Sequence, residues 1–296
     1  ELLKLRIAIS INTHLLKLAE ETSENQNVIF SIVKRRYNLG TKGTILSDVY
    51  LSEENYTSLQ ADIYKFKRLI TDDLYKLDVL LGKKPGFTKA NTEHFSLLPP
   101  PIDIAIGIPA SLLDNRPDLL ASEFRTLAAN SNIGVAIADL YPSVTIGGSL
   151  GFSGDGSVEL FTSDQLTGSL LSNITTRLFE GGSLRANIRV KESLTRELIA
   201  SYTKKVLEAL REVETALKSE KEFISELKYK KLSYTLLKQA EEFTESRYFK
   251  GVERLKNYLE IKQRRYHVEQ NWLRSQQEKW NNRIHLYLAL GGDWLE

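Results

Sequence analysis

Apolar positions in the first part of the chain recur at helical spacing. Leu5, Ile9, Leu15, Leu16, Ala19, Ile29, Ile32 and Val33 stand among charged and amide residues, which predicts one long helix over 1–38. It ends at Arg36-Tyr37-Asn38-Leu39-Gly40, where Gly40 and Gly43 can take the positive φ that stops a helix. A second helix is predicted from about Ile45 to Leu81, stopping at Gly82, so helix, turn and helix make an antiparallel hairpin. The pattern returns at the other end of the chain. After Gly181-Gly182 no Pro or Gly interrupts the sequence until Gly251, and at about 1.5 Å per residue that is a helix of roughly 100 Å. Val206, Leu210, Val213, Leu217, Ile224 and Leu227 follow heptad spacing, which predicts a coiled-coil seam along it. A return helix follows from about Leu255 to Leu290, and Gly291-Gly292 closes it.

Between these hairpins the period changes from helical to two. In 142–153 one set of alternate positions holds Val144, Ile146, Gly148, Leu150 and Phe152, and the other holds Ser143, Thr145, Gly147, Ser149, Gly151 and Ser153. After a polar loop over 154–164, Leu166, Leu170, Ile174 and Leu178 alternate with Gln165, Thr167, Ser169, Asn173, Thr175 and Arg177. Two amphipathic strands of roughly 12 to 14 residues joined by a loop make a hairpin, long enough to cross a bilayer when tilted. A lone hairpin is marginal in water, and the rest of the chain offers it no partner strand. Membranes accept strands only in closed barrels, so several copies of the chain would have to pool their hairpins. The competing reading is a soluble hairpin packed on helices.

The segment over 83–116 is irregular, because six of the chain's seven prolines fall between Pro85 and Pro117. It leads into Asn115-Arg116-Pro117-Asp118, where Asn115 can cap a helix, Pro117 suits its first turn and Asp118 meets the positive end of its dipole. That helix, to about Leu140, is rich in small residues, including Ala121, Ala128, Ala129, Gly134, Ala136 and Ala138. The expected organisation is a helical hairpin over 1–82, a connector over 83–116, a helix over 117–141, a strand hairpin over 142–182 and a second helical hairpin over 183–296. Arg36-Tyr37-x-x-Gly40 matches Arg247-Tyr248-x-x-Gly251, which reads as an internal duplication. The first copy begins partway down its descending helix, so a further strand hairpin and the mature N-terminus are expected upstream.

Charge narrows the function classes. With 40 basic and 38 acidic residues the net charge is +2, and no Lys/Arg cluster interleaved with aromatics suggests a nucleic-acid platform. Absence of Cys removes disulfides, thiolate metal sites and a Cys nucleophile, and absence of Met has no physical explanation. His14, His94, His267 and His285 lack metal-ligand spacing, and no phosphate loop or nucleophile elbow is present. No enzyme activity, cofactor or metal is therefore expected. No apolar run reaches the roughly 18 residues of a membrane helix.

Ile108-Pro-Ala-Ser-Leu-Leu-Asp-Asn-Arg-Pro-Asp118, Ala121-Ser-Glu123, Ala128-Ala-Asn130, Ile133-Gly134 and Tyr141-Pro-Ser143 together resemble the signature of outer-membrane efflux proteins. The likeness is to the channel-tunnel family of tripartite pumps, in its lipoprotein drug and metal efflux branch. Leu178-Phe179-Glu-Gly-Gly-Ser-Leu-Arg-Ala186, Ala209-Leu-Arg-Glu-Val-Glu214 and Leu286-Tyr-Leu-Ala-Leu-Gly-Gly-Asp-Trp294 continue it. The resemblance implies a mainly α protein with a transmembrane β-hairpin. Long antiparallel helical hairpins would form an α-barrel tunnel in the periplasm, and strands would contribute to a shared trimeric β-barrel in the bacterial outer membrane. It implies a homotrimer working with a periplasmic adaptor protein and an inner-membrane pump, passively passing small molecules or ions.

The same resemblance implies site residues. Tyr248 would hydrogen-bond Asp48, with Ser47 and Arg254 nearby, as a periplasmic gate. Glu260 and Asn257 would line the pore constriction, and Gly40, Gly43 and Gly251 would form the turns that meet the adaptor. Glu253 stands where the family carries a further Arg, and Arg177 where relatives carry Pro or a small residue. The alternative is a soluble periplasmic coiled-coil scaffold or adaptor.

Overall fold

A computed structural model of the chain describes residues 1–41, 43–89, 116–152 and 166–292. Most of the connector over 83–116 therefore lies outside the described residues, as do Asn115, read above as a cap, the polar loop of the strand hairpin, His94 and Trp294. The described elements are α1 (Leu2–Asn38), α2 (Leu46–Leu80), α3 (Pro117–Ala138), β1 (Ser143–Phe152), β2 (Leu166–Thr175), α4 (Ser183–Phe249) and α5 (Leu255–Ala289). They group into two compact units, Glu1–Ile108 with Arg211–Glu296, and Pro109–Leu210.

The four long helices end in one backbone motif. At Gly40, with φ of 63°, the Gly40 N–H donates to Tyr37 O at 2.9 Å and the Thr41 N–H to Arg36 O at 3.0 Å. At Gly251, φ 74°, the Gly251 N–H donates to Tyr248 O at 2.9 Å and the Val252 N–H to Arg247 O at 3.0 Å. Gly82 and Gly291 repeat the pair of bonds at the far ends of α2 and α5. This double closure satisfies carbonyls that would otherwise be left open, and it requires a left-handed residue, hence glycine. Beyond Gly82 the chain is tied down by Asp78, whose buried carboxylate accepts the N–H groups of Gly86 (2.8 Å), Phe87 (3.1 Å) and Thr88 (3.1 Å).

In the first unit α1 lies along α2 and both meet α5. One apolar cluster joins Ile7, Ile11, Leu15 and Ala19 of α1 to Leu59, Ile63 and Phe66 of α2 and Tyr266 of α5. A second, near the turns, joins Ile29 and Val33 to Val49, Tyr248, Tyr258 and Leu259. The heptad series read along α4 is not its buried stripe. Ile224 is exposed, and over 206–227 the buried positions are Ala209, Val213, Ala216 and Glu220, which keep four-three spacing but share only Val213 with that series. Glu220 is drawn inside because Arg283 (3.3 Å) and Asn282 (3.3 Å) of α5 meet its carboxylate.

In the second unit Pro117 opens α3, with Arg116 at the cap position forming two bonds to Asp118 (3.0 and 2.9 Å). β1 and β2 pair antiparallel, with Ser143 opposite Thr175 and Phe152 opposite Leu166. Each strand has 10 described residues, and β2 ends at Thr175, short of the Leu178 to which the alternation runs. The ladder stops at Thr175 because the next partner across from it is Pro142, which has no N–H to donate. Ten residues remain within the roughly 9 to 11 that cross a bilayer when tilted. The register puts Val144, Ile174, Ile146, Leu170, Leu150, Phe152 and Leu166, with Ser172, on one face, and Ser143, Thr145, Ser149, Thr167, Ser169, Asn173 and Thr175, with Leu171, on the other. Every position of both strands is exposed. No helix among the described residues is long and apolar enough to cross a membrane.

Candidate functional site at the helical turns

Six of the residues singled out in the sequence come together. Ser47, Asp48, Gly43, Tyr248, Gly251 and Arg254 all line one groove of about 640 Å³ between the α1–α2 and α4–α5 turns. Gly40, Asn257 and Glu260 are not part of its lining. Gly40 shapes the turn instead, and the other two stand on the exposed side of α5.

Tyr248 is the buried centre of this region, at 7% exposure. Its ring stacks on Tyr258 with centroids 5.3 Å apart and planes 14° from parallel, and meets Phe249 edge-on at 5.4 Å. The Arg36 guanidinium lies 5.8 Å from the ring centroid. Burial raises the Tyr248 pKa, Arg36 opposes the rise and the Asp48 charge adds to it. Asp48 is thus close enough to be felt by the phenol, yet its Oδ2 accepts the N–H of Ile45 at 3.1 Å. Ile45 has no side-chain acceptor to return the bond, so the start of α2 has half a capping box, completed by Asp48 N–H donating to Ile45 O at 2.9 Å.

Glu253 organises the second turn, which the sequence signalled only as a charge opposite to the family's usual Arg. Its carboxylate accepts from Asn257 Nδ2 (3.1 Å) and Arg254 N–H (3.2 Å) and faces Arg247 Nε (3.5 Å). The Asn257 bond first, then Arg254 and Arg247, hold its pKa below the usual carboxylate value. Glu260 faces Lys256 at 3.8 Å on the exposed surface. Such an exposed pair is worth about 0.3–0.5 kcal/mol.

Behind the turn runs a ladder the sequence reading missed. The Tyr258 hydroxyl donates to Glu245 at 2.8 Å and accepts from Lys262 Nζ at 3.2 Å. Lys262 lies 3.9 Å from Glu241, and Arg265 bridges Glu241 (2.6 Å) and Glu269 (2.5 Å). Burial lowers the Lys262 pKa, opposed by Glu241 and Glu245. Burial works against the Arg265 charge too, but its bonds to Glu241 and Glu269 more than offset it. Among the described residues no group of acidic, His or Cys side chains is placed to hold a metal ion.

Long helical hairpins with paired glycine turns, joined in sequence to a strand pair exposed on an apolar face and a polar face, define a channel-tunnel class of fold. Residues 108–292 match the family model of outer membrane efflux proteins, and the chain belongs to that family. It is 29% identical over 282 residues to the solvent efflux pump outer membrane protein SrpC of Pseudomonas putida, covering 95% of this chain and 59% of that protein. It is 28% identical over 279 residues to the pyoverdine export outer membrane protein OpmQ of Pseudomonas putida, covering 94% and 58%. The chain thus spans somewhat under two thirds of these relatives. Among solved structures, the outer-membrane channel OprN superposes with a TM-score of 0.84 at 24% identity, over 99% of this chain and 66% of that one. VceC of Vibrio cholerae superposes with a TM-score of 0.77 at 21% identity, over 98% and 68%. The fold is that of these channel proteins.

Proposed function

We propose that this chain is part of the outer-membrane exit duct of a tripartite efflux system. Three copies would pool their strand hairpins in the outer membrane and line a periplasmic passage with their helical hairpins, conducting small molecules or ions without chemistry. A periplasmic adaptor would meet the turns at Gly40, Gly43 and Gly251, and an inner-membrane pump would supply the energy. The observation that carries this reading is the strand hairpin, whose apolar residues are all exposed within a chain of the outer membrane efflux protein family. A water-soluble scaffold or adaptor would leave that apolar face against water, a cost the hydrophobic effect does not allow to persist.

Within this duct Asp48, Ser47, Tyr248 and Arg254 form the resting closure, and Glu260 with Asn257 sets a cation preference at the constriction. Rings of carboxylate from symmetry-related copies attract cations, whereas the amide of Asn257 adds no charge. The test uses the complete protein in planar bilayers. Asp48→Ala or Tyr248→Phe is expected to raise single-channel conductance, and Glu260→Gln to weaken cation preference in reversal potentials. Unchanged conductance in both gate variants would remove these residues from the closure, and a wild type that forms no channel would overturn the duct.

A further inference from the structure

The two apolar clusters of the first unit are separated by a belt that is buried but polar. Along α1 the inward positions run Ile7, Ile11, Leu15 and Ala19, then Thr22, Ser23 and Gln26, then Ile29 and Val33. On α2 the fully buried Ser52 and the half-buried Asn55 separate Val49 from Leu59. On α5 Lys262 stands between Leu259 and Tyr266, and on α4 the buried Thr244 precedes Tyr248. On α1, α2 and α5 the buried face therefore changes from apolar to polar between the two clusters. Side chains tie the belt together: Gln60 Nε2 donates to Ser23 Oγ at 2.8 Å, Tyr266 Oη to Asp62 at 3.0 Å and Lys262 to Tyr258 at 3.2 Å.

The belt is not fully satisfied or filled. A cavity of about 30 Å³ opens inside it, bordered by Thr22, Gln26, Asp62, Lys262 and Tyr266 among others. Gln26 is 2% exposed, and its Nε2 donor has no hydrogen-bond partner among the described residues. A water needs roughly 10–15 Å³ of such space and two or more polar neighbours, which this cavity supplies. An apolar cluster separates only by exposing oily surface, but a polar level can exchange its side-chain pairs for water at small cost.

We propose that this belt is a hydrated hinge: water sits beside Gln26, and the segment from the belt to the Gly40 and Gly251 turns moves against the rest of its unit by re-pairing Thr22, Ser23, Gln26, Asp62 and Lys262 with water. Lys262 is the positioning residue of the hinge. It borders the cavity, and its ammonium also holds the Tyr258 hydroxyl on which the Tyr248 stack depends. The hinge rests on the exit-duct reading only for its consequence, that hinge motion accompanies opening.

The test is hydrogen exchange by mass spectrometry on the complete protein in detergent, comparing wild type with Gln26→Leu/Lys262→Met. That pair removes the unpartnered donor and the ammonium and makes the border of the cavity more apolar, while Glu241 keeps Arg265 as its partner. Amides between the belt and the two turns are expected to exchange about ten-fold more slowly in the variant, because exchange follows the local opening equilibrium. Those on the far side, around Leu15 and Ile63, are expected to be unaffected. Equal slowing on both sides, or none, would overturn the hinge. Should the double variant fail to fold, Gln26→Leu alone gives the same comparison. High-resolution density of the wild type is expected to show water bonded to Gln26 Nε2, and a protein group bonded there would overturn the hydration. The exchange result stands whether or not the bilayers show a channel, so the two readings fail separately.

Discussion

At the first turn Tyr37 is 40% exposed, and at the second Tyr248 is 7% exposed, although each sits three residues before its glycine in the same two-bond closure. The backbone is duplicated and the surroundings are not. Counted back from Gly82 and Gly291, Val49 takes the place of Tyr258 and the exposed Glu53 the place of the buried Lys262. Val49 does not build a second pocket for Tyr37. It joins Ile29 and Val33 in the cluster around Tyr248, so the first repeat supplies core to the tyrosine of the second. The difference teaches that this pair of turns shares one aromatic centre, and that the centre belongs to the α4–α5 side.

The sharpest way to break that comparison is to truncate both rings. Tyr248→Ala removes a buried ring with its stack and its cation contact and is expected to cost about 3–5 kcal/mol. Tyr37→Ala is expected to stay within about 0.5 kcal/mol, as exposed substitutions do. Urea unfolding followed by helical circular dichroism measures both, and similar losses would mean that the two turns are equivalent after all. A smaller effect isolates what the turns do share. Neither Gly40 nor Gly251 would bring an added Cβ within 4 Å of another atom, so alanine there meets only the backbone penalty of positive φ. Each is expected to lose about 1–2 kcal/mol, and by the same amount. A large inequality in the same unfolding experiment would show that the duplicated backbone is supported differently at the two ends.

Helices and turns were legible because glycine and proline punctuate this chain where its periodicity changes. Gly40, Gly82, Gly251 and Gly291 mark four helix ends within a residue or two. The strand face was legible too, since alternation in 143–152 leaves one choice of side. What misled was residue type standing for burial. Ile224 fits the heptad but faces out, while Glu220 lies buried because Arg283 waits for it on another helix. The residues that family pattern picked out, Ser47, Asp48, Tyr248 and Arg254, do line one groove, whereas the ladder behind them was hidden in charge. Tyr258, Lys262, Arg265 and Glu269 step by four, three and four along α5, a core spacing occupied by polar residues, facing Glu241 and Glu245 on α4. Spacing read without regard to hydrophobicity would have found them.

The smallest expected effect tests that support, and it is a matter of pH. Burial lowers the Lys262 pKa below its ordinary 10.5, with Glu241 and Glu245 opposing the fall and Arg265 adding to it. As pH rises the folded chain therefore sheds this proton before the unfolded chain does. Between the lowered value and 10.5 the unfolded state holds more protons, so the Lys262 contribution to stability becomes more favourable with rising pH, and below both values it is constant. The stability of wild type minus that of Lys262→Met is expected to increase as pH rises towards 10.5, other titrations cancelling in the difference. The first repeat offers the control, because Glu53→Gln alters an exposed residue at the matching place and is expected to leave that pH slope unchanged. A flat difference for Lys262 would mean that the ammonium is solvated, and that the asymmetry between the two turns stops at the aromatic rings.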